Sequence, residues 1–317
     1  MAEKDKVKSI KLWEKEVLDW SKVEQKISAS VGQNFRLINQ FGIGGGDINQ
    51  AYRLEGVLEE NGQQKAVSFF IKVNKKNLLG MFEAEAAGLQ EMERTQAIRV
   101  PHVVWSGAES SQSYLVLENL SLAAGGTGSA KQLGQQLAEL HKNISKKFGW
   151  SRDNTIGSTP QINTQTESWI DFWCEYRLDF QLNLAKQNGA SHSLYMKGEK
   201  LLKNLETFFI GYEPKASLLH GDLWSGNYGY LKNGEPVIFD PAVYYGDRET
   251  DIAMTELFGG FPAEFYTAYN EAWPLDNGYQ QRKGLYNLYH ILNHFNLFGG
   301  GYAMQAEKML DQLLINV

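Results

Sequence analysis

Apolar positions along this chain change their spacing as it proceeds, and the changes mark its elements. Ile10, Trp13, Val17, Val23, Ile27 and Val31 recur at roughly helical intervals, which predicts an amphipathic helix or helix pair over 10–31. Short strand-like runs follow at Phe35 to Gln40, Gln50 to Val57 and Ala66 to Val73. Glycines 42, 44, 45 and 46 separate the first two, and Glu60-Asn61-Gly62-Gln63 joins the next pair through Asn-Gly, a favoured hairpin signal. Phe82, Ala86, Leu89 and Met92 then share one face of a predicted helix, Phe82 to Glu93. Tyr114 to Leu120 (YLVLENL) reads as a further strand.

Past the small-residue connector AAGGTGSA the texture becomes helical. Ser129 with Gln132 fits a capping box, and Leu133, Leu137 and Leu140 form the apolar stripe behind it. The exception to the helices is a predicted strand pair, Tyr228 to Leu231 and Pro236 to Phe239, around Asn233-Gly234. These elements predict an α+β chain of two lobes. A small β-rich N-lobe would occupy 1–120 and a larger, mainly helical C-lobe 121–317, the order of elements in the protein-kinase-like fold.

At 317 residues the chain suits two lobes better than one simple core. Its net charge of -6 argues against general binding to nucleic acid or anionic membranes. The single cysteine, Cys174, rules out an internal disulfide, and with the scattered histidines it gives no zinc signature. No apolar run approaches the roughly 20 residues that span a bilayer, and the charged segment MAEKDKVKSIKLW lacks a signal-peptide core. A cytoplasmic protein with no obligate partner is expected.

The chemistry concentrates in His220-Gly221-Asp222-Leu223-Trp224-Ser225-Gly226-Asn227. Asp222 and Asn227 stand five apart, as do the catalytic Asp and the metal-binding Asn of kinase catalytic loops. Asp240 closes the apolar Val237-Ile238-Phe239 run after the hairpin, where a second magnesium ligand belongs. Gly44, Gly45 and Gly46 allow backbone N–H groups to approach phosphates, although the same segment fits a plain hairpin loop. The spacing is neither Walker A nor Rossmann. Lys72 closes its strand where an ammonium would meet ATP phosphates, or simply water. Its partner would be Glu85 or Glu83, with Glu85 preferred for its place beside the apolar stripe. Asp251, early in a helix predicted over 249–258, either caps that helix or braces the catalytic loop, and the roles are compatible. His290 and His294 stand at i, i+4, but no HExxH glutamate accompanies them.

The chain resembles the fructosamine kinase (ketosamine-3-kinase) family, a branch of the aminoglycoside-phosphotransferase-like kinases. The resemblance runs through SFFIKVN, FEAEAAGL, SWIDFWCEYRL, LLHGDLWSGN, VIFDPAVYYGDRETDIAMTELFGGFP and LYHILNHFNLFGGGY, nearly the whole chain. It implies ATP-dependent phosphorylation of the 3-hydroxyl of a free or protein-bound ketosamine, giving a labile product and hence deglycation. It implies Asp222 as base, Asn227 and Asp240 as magnesium ligands, and Lys72 with Glu85 as the phosphate-positioning pair. It also implies a hinge at Glu118, Asn119 and Leu120 for adenine, structural support from His220 and Asp251, and substrate contacts from Trp224 and His294. Many eukaryotic members carry a cysteine in the glycine-rich loop; here Asp47 stands in that place, so a disulfide switch is not expected. The competing readings are an aminoglycoside, choline or sugar kinase of the same fold, and a nucleotide-binding scaffold without catalysis.

Overall fold

The computed structural model describes residues 18–44, 48–60 and 62–316. The expected helix at 10–17 and the loop residues Gly45, Gly46 and Asp47 lie outside them. The N-lobe begins with helix α1 (Trp20–Val31). A five-stranded antiparallel sheet follows, built from β1 (Asn34–Ile43), β2 (Gln50–Glu60), β3 (Gln63–Lys75), β4 (Val103–Glu109) and β5 (Gln112–Glu118). The strand order is β1-β2-β3-β5-β4, with helix α2 (Leu79–Thr95) inserted between β3 and β4. The expected strand at 114–120 ends at Glu118, and β4 was not legible because its pattern is broken by Ser106-Gly107.

Period-two alternation decides which way β3 presents its side chains. Phe69, Ile71 and Val73 face α1, where they bury against Val23, Ile27, Tyr114 and Val116. The residues between them face α2, so Phe70 and Lys72 belong to the other side of the sheet. There Leu115 and Leu117 meet Phe82, Ala86, Leu89 and Met92 of α2, and this core continues without a break into the C-lobe. Burying a side chain the size of Phe82, Leu89 or Met92 contributes about 1.5–3 kcal/mol, which is ample to hold α2 against the sheet.

The C-lobe opens with β6 (Leu122–Ala123) and α3 (Ser129–His141), then β7 (Asn154–Ile156), β8 (Thr159–Gln161), α4 (Trp169–Trp173), α5 (Phe180–Gln187) and α6 (His192–Leu202). It continues through β9 (Ser217–Leu219), β10 (Tyr228–Leu231), β11 (Pro236–Ile238) and β12 (Tyr244–Gly246). It closes on α7 (Glu249–Thr255), α8 (Ala263–Ala272), α9 (Tyr279–Phe298) and α10 (Tyr302–Leu313). The expected hairpin is β10–β11, joined by β6 into a three-stranded sheet. Two further small pairs, β9–β12 and β7–β8, are too short to carry a periodic signal.

Two local expectations are corrected. Ser129 is the first residue of α3 rather than its cap. Its hydroxyl donates to Gly234 O (2.7 Å) and accepts from Gly126 N–H (3.0 Å), tying the connector to the β10–β11 turn instead of closing a capping box. The helix expected over 249–258 ends at Thr255, as Glu256 and Leu257 close tighter turns onto Ala253 O and Met254 O. Among the described residues no helix is long and apolar enough to cross a membrane.

Candidate active site

The site forms where small strands place three loops side by side. β9 leads into His220-Gly221-Asp222, the β10–β11 hairpin starts just after Asn227 and Asp240 follows it, and β12 pairs back onto β9. Register does the positioning. Tyr228 pairs with Ile238, so Phe239 N–H donates to Asn227 O (3.0 Å) and Asp240 comes next along the chain. Leu219 pairs with Tyr244, so Ala242 N–H donates to His220 O (2.8 Å). Gly221 sits at that crossing with φ +82, and a Cβ there would stand 2.1 Å from Ala242 O, so only glycine fits.

Asp222 is half-buried. The Asn227 side-chain amide donates to its backbone oxygen (2.9 Å) and to its carboxylate (3.3 Å), and reaches Asp240 O at 3.5 Å. Burial, then the charges of Asp240 and Asp251, push the Asp222 carboxyl up to about 7. Asp240 adopts a left-handed backbone (φ +58), uncommon outside glycine and found where surrounding structure enforces it. Its carboxylate meets the Lys72 ammonium at 2.8 Å, while Glu85 meets the same nitrogen at 2.7 Å. Burial alone would discharge Lys72, but Asp240 and Glu85 outweigh it and hold the ammonium above its ordinary value. Glu83 faces outward and pairs with Arg152 across the lobes at 3.8 Å. The helix geometry that separates residues two apart thus assigns the buried partner to Glu85.

Asp251 is buried beneath the loop. It accepts from His220 N–H (2.7 Å) and Gly221 N–H (2.8 Å) and from His141 Nε2 (3.1 Å). Burial pushes its carboxyl up, and the contacts with His141, His220 and Gly221 pull it down by more, leaving it below the ordinary range. His220 Nε2 donates to Phe239 O (2.9 Å), and its Nδ1 accepts from Asp222 N–H (3.3 Å), which links the loop to the strand before Asp240. His141, at the end of α3, was not found from sequence. It lies 110 residues from Asp251, and nothing in its local pattern separates it from a core histidine.

Of the glycine-rich residues, Gly44 is described and exposed, beside a cavity of about 270 Å³ bounded by Ile43, Asn49, Ala51 and Tyr52. Asn74, at the end of β3, anchors the far side of this loop through Ile48 O (3.1 Å) and Asn49 Oδ1 (2.7 Å). In the expected hinge, the Glu118 carboxylate is taken by Arg99 and by His102 N–H (2.9 Å), and the Asn119 amide by Ser68 Oγ (3.0 Å). What remains for a ligand is backbone: Leu120 O accepts from Leu122 N–H, and among the described residues Leu120 N–H has no acceptor. Trp224 is 39% exposed and meets Phe258 edge-on, and Phe258 packs on His294 at 4.8 Å. One aromatic wall therefore joins the two expected substrate residues.

Burial also holds His141, His220 and His294 below their ordinary pKa, and His290 down to about 3. The unfolded chain binds protons at these sites below about pH 6.5 while the native state resists them. Each fully buried histidine kept neutral is therefore expected to take about 1.4 kcal/mol per unit from stability as pH drops below about 6.5, opposed by the Asp222 and Glu249 carboxyls, which burial raises to about 7 and which gain protons in the fold over that range. Imidazole proton shifts followed from pH 7 to pH 5 check the histidine part; His290 titrating near 6.5 in the folded protein would overturn it.

A β-rich lobe with a buried lysine–carboxylate pair, over a helical lobe presenting Asp222, Asn227 and Asp240, defines a phosphotransferase of the protein-kinase-like fold. The chain belongs to the fructosamine kinase family, whose model matches residues 19–316. A candidate ketoamine kinase of Synechocystis is 49% identical, over 93% of this chain and 97% of the relative. The chloroplastic protein-ribulosamine 3-kinase of Arabidopsis thaliana is 45% identical, over 86% of this chain and 81% of the relative. The crystal structure of a candidate fructosamine-3-kinase from Haemophilus somnus 129PT superposes with a TM-score of 0.82 at 29% identity, covering 93% and 97% of the two chains.

Proposed function

We propose that this protein transfers the γ-phosphate of ATP to the 3-hydroxyl of a ketosamine. Family membership and the relative named protein-ribulosamine 3-kinase support the substrate class. The observation that carries the chemistry is the chain of contacts that joins Asp222 to Asn227, Asn227 to Asp240 and Asp240 to Lys72. In this reading Asp222 takes the proton of the attacking hydroxyl, whose oxygen bonds to the γ-phosphorus as ADP leaves. Lys72, held by Glu85, meets the phosphates, and the hinge backbone at Leu120 meets the adenine. Trp224 and His294 line the sugar side.

Magnesium fits the same residues. The Asp240 carboxylate and the Asn227 amide give hard oxygen donors, and the negative charge that, after burial, raises Asp222 favours a cation. Among the described residues no group of three or more His, Cys, Asp or Glu forms a metal cage, in keeping with an ion that retains waters and phosphates as ligands. Asn227 and Asp240 would hold it, and when bound it neutralises developing phosphate charge. A cytoplasmic setting agrees with the lone free thiol at Cys174.

The test is ADP release with magnesium and ATP against ribuloselysine, erythruloselysine, fructoselysine and kanamycin. Turnover is expected on at least one ketosamine. Turnover on kanamycin alone, or on no acceptor, would end the ketosamine assignment. Ranking among the sugars rests on one carbon, a difference of about 1–3 kcal/mol.

A further inference from the structure

A cavity of about 270 Å³ opens where β9 begins and α7 starts, with Ser217, Asp247 and Arg248 in its lining. That is about nine water volumes, the size of a small metabolite. Two of the five charged residues that line it, Asp276 and Asp247, are committed. Asp276 pairs with Arg282 (2.7 Å), and Asp247 accepts from the Tyr212 and Tyr286 hydroxyls (2.9 and 2.5 Å).

Three charged groups are left over. Arg248 is 6% exposed, yet among the described residues it has no carboxylate in ion-pair range. Its acceptors are neutral: Tyr269 OH (3.1 Å), Trp273 O (2.9 Å) and Pro274 O (2.5 Å), which leaves two of its five N–H donors without a partner there. A buried guanidinium normally meets an anion. Lys215 and Glu213, both exposed on the rim, have no ion-pair partner among the described residues. Trp273, stacked under Arg248 at 4.1 Å, supplies an apolar wall. The hydroxyl of the fully buried Ser217, another lining residue, also lacks a partner there.

Two cations and one anion without ion-pair partners among the described residues, beside an aromatic wall, match a ligand bearing a carboxylate and an ammonium. We propose that this cavity binds a small zwitterionic amino acid, carboxylate to Arg248 and Lys215 and ammonium to Glu213, and that occupancy steadies the catalytic loop. A directed hydrogen-bond chain connects the two sites. Arg248 donates to Tyr269 OH, which donates to His141 Nδ1 (2.8 Å); His141 Nε2 donates to Asp251, which holds the amides of His220 and Gly221. Ligand on Arg248 polarises every later bond in the chain.

L-lysine is the probe, titrated calorimetrically into the full-length protein, with acetate and inorganic phosphate as controls. Saturable binding of L-lysine is expected, about tenfold weaker in Lys215→Ala and in Arg248→Gln. Since Arg248→Gln could unfold the site, Lys215→Ala on the exposed rim keeps the test decisive. Hydrogen exchange at the His220 and Gly221 amides is expected to slow about fivefold on binding, and Tyr269→Phe should bind L-lysine but lose that slowing. No binding by the folded wild type, or equal binding by Lys215→Ala, overturns the site. Phosphate binding as tightly as L-lysine overturns the amino-acid assignment, and binding without slowed exchange overturns the coupling. Neither readout uses a sugar acceptor, so failure here is separable from failure of the proposed reaction.

Discussion

Replacing Asp222 by alanine is expected to lower kcat by about 10²–10⁴-fold, the range for losing a positioned general base, while ATP affinity changes little. The reason lies in how the residue is held. The Asn227 amide fixes its carboxylate, its own N–H bonds back to His220, and Asp251 clamps the two preceding amides. Removing the carboxylate leaves that scaffold in place. Lys72 and the hinge, which would meet ATP, do not touch Asp222. The acid limb of the wild-type profile carries a second signature. Burial and neighbouring negative charge raise Asp222, and only its ionised form accepts a proton, so kcat/KM rises with pH across that ionisation. The residual activity of Asp222→Ala should lack this limb. Single-turnover phosphorylation of a ketosamine, with nucleotide binding measured separately, decides the matter. Near wild-type turnover in the variant would move the base elsewhere.

Replacing Lys72 by alanine is expected to lower kcat/KM for ATP by about 10²–10³-fold, comparable to removing one charge-stabilising donor from a reacting centre. It should also destabilise the fold. Lys72 and Glu85 are nearly buried, and the substitution leaves Glu85 facing Asp240 without its cation. Breaking a buried pair typically costs about 3–5 kcal/mol, and the partial exposure of Asp240 places this case toward the low end. The double variant Lys72→Met/Glu85→Gln separates the two effects. It removes the orphaned charge, so urea stability should recover most of the loss while ATP turnover does not. Recovery of turnover in the double variant would mean that Lys72 serves the fold and not the phosphates.

Much of this protein is legible along its chain. Elements long enough to repeat their pattern could be read, β3 as a strand-like run and α2 by its apolar stripe, and Asn233-Gly234 marked the β10–β11 hairpin. So could the loop chemistry, because His220 through Asn227 and then Asp240 lie within one short stretch. The short strands β6, β7, β8, β9 and β12 could not be read, since no periodicity fits in two or three residues. Capping was misjudged at Ser129, where a hydroxyl suited to its own helix found a better partner in Gly234, far along the chain.

Sequence by itself determined the order of elements, a β-rich part before a helical one, and the short spacing of Asp222, Asn227 and Asp240, all consequences of local periodicity and neighbourhood. Tertiary structure alone decided which glutamate meets Lys72, because two candidates on one helix differ only in the face the core buries. It alone brought His141 and Tyr269 beneath Asp251, and left Arg248 without a carboxylate beside a cavity. Each of these depends on contacts between residues far apart in the chain, and a pattern of neighbours carries no record of where distant segments meet.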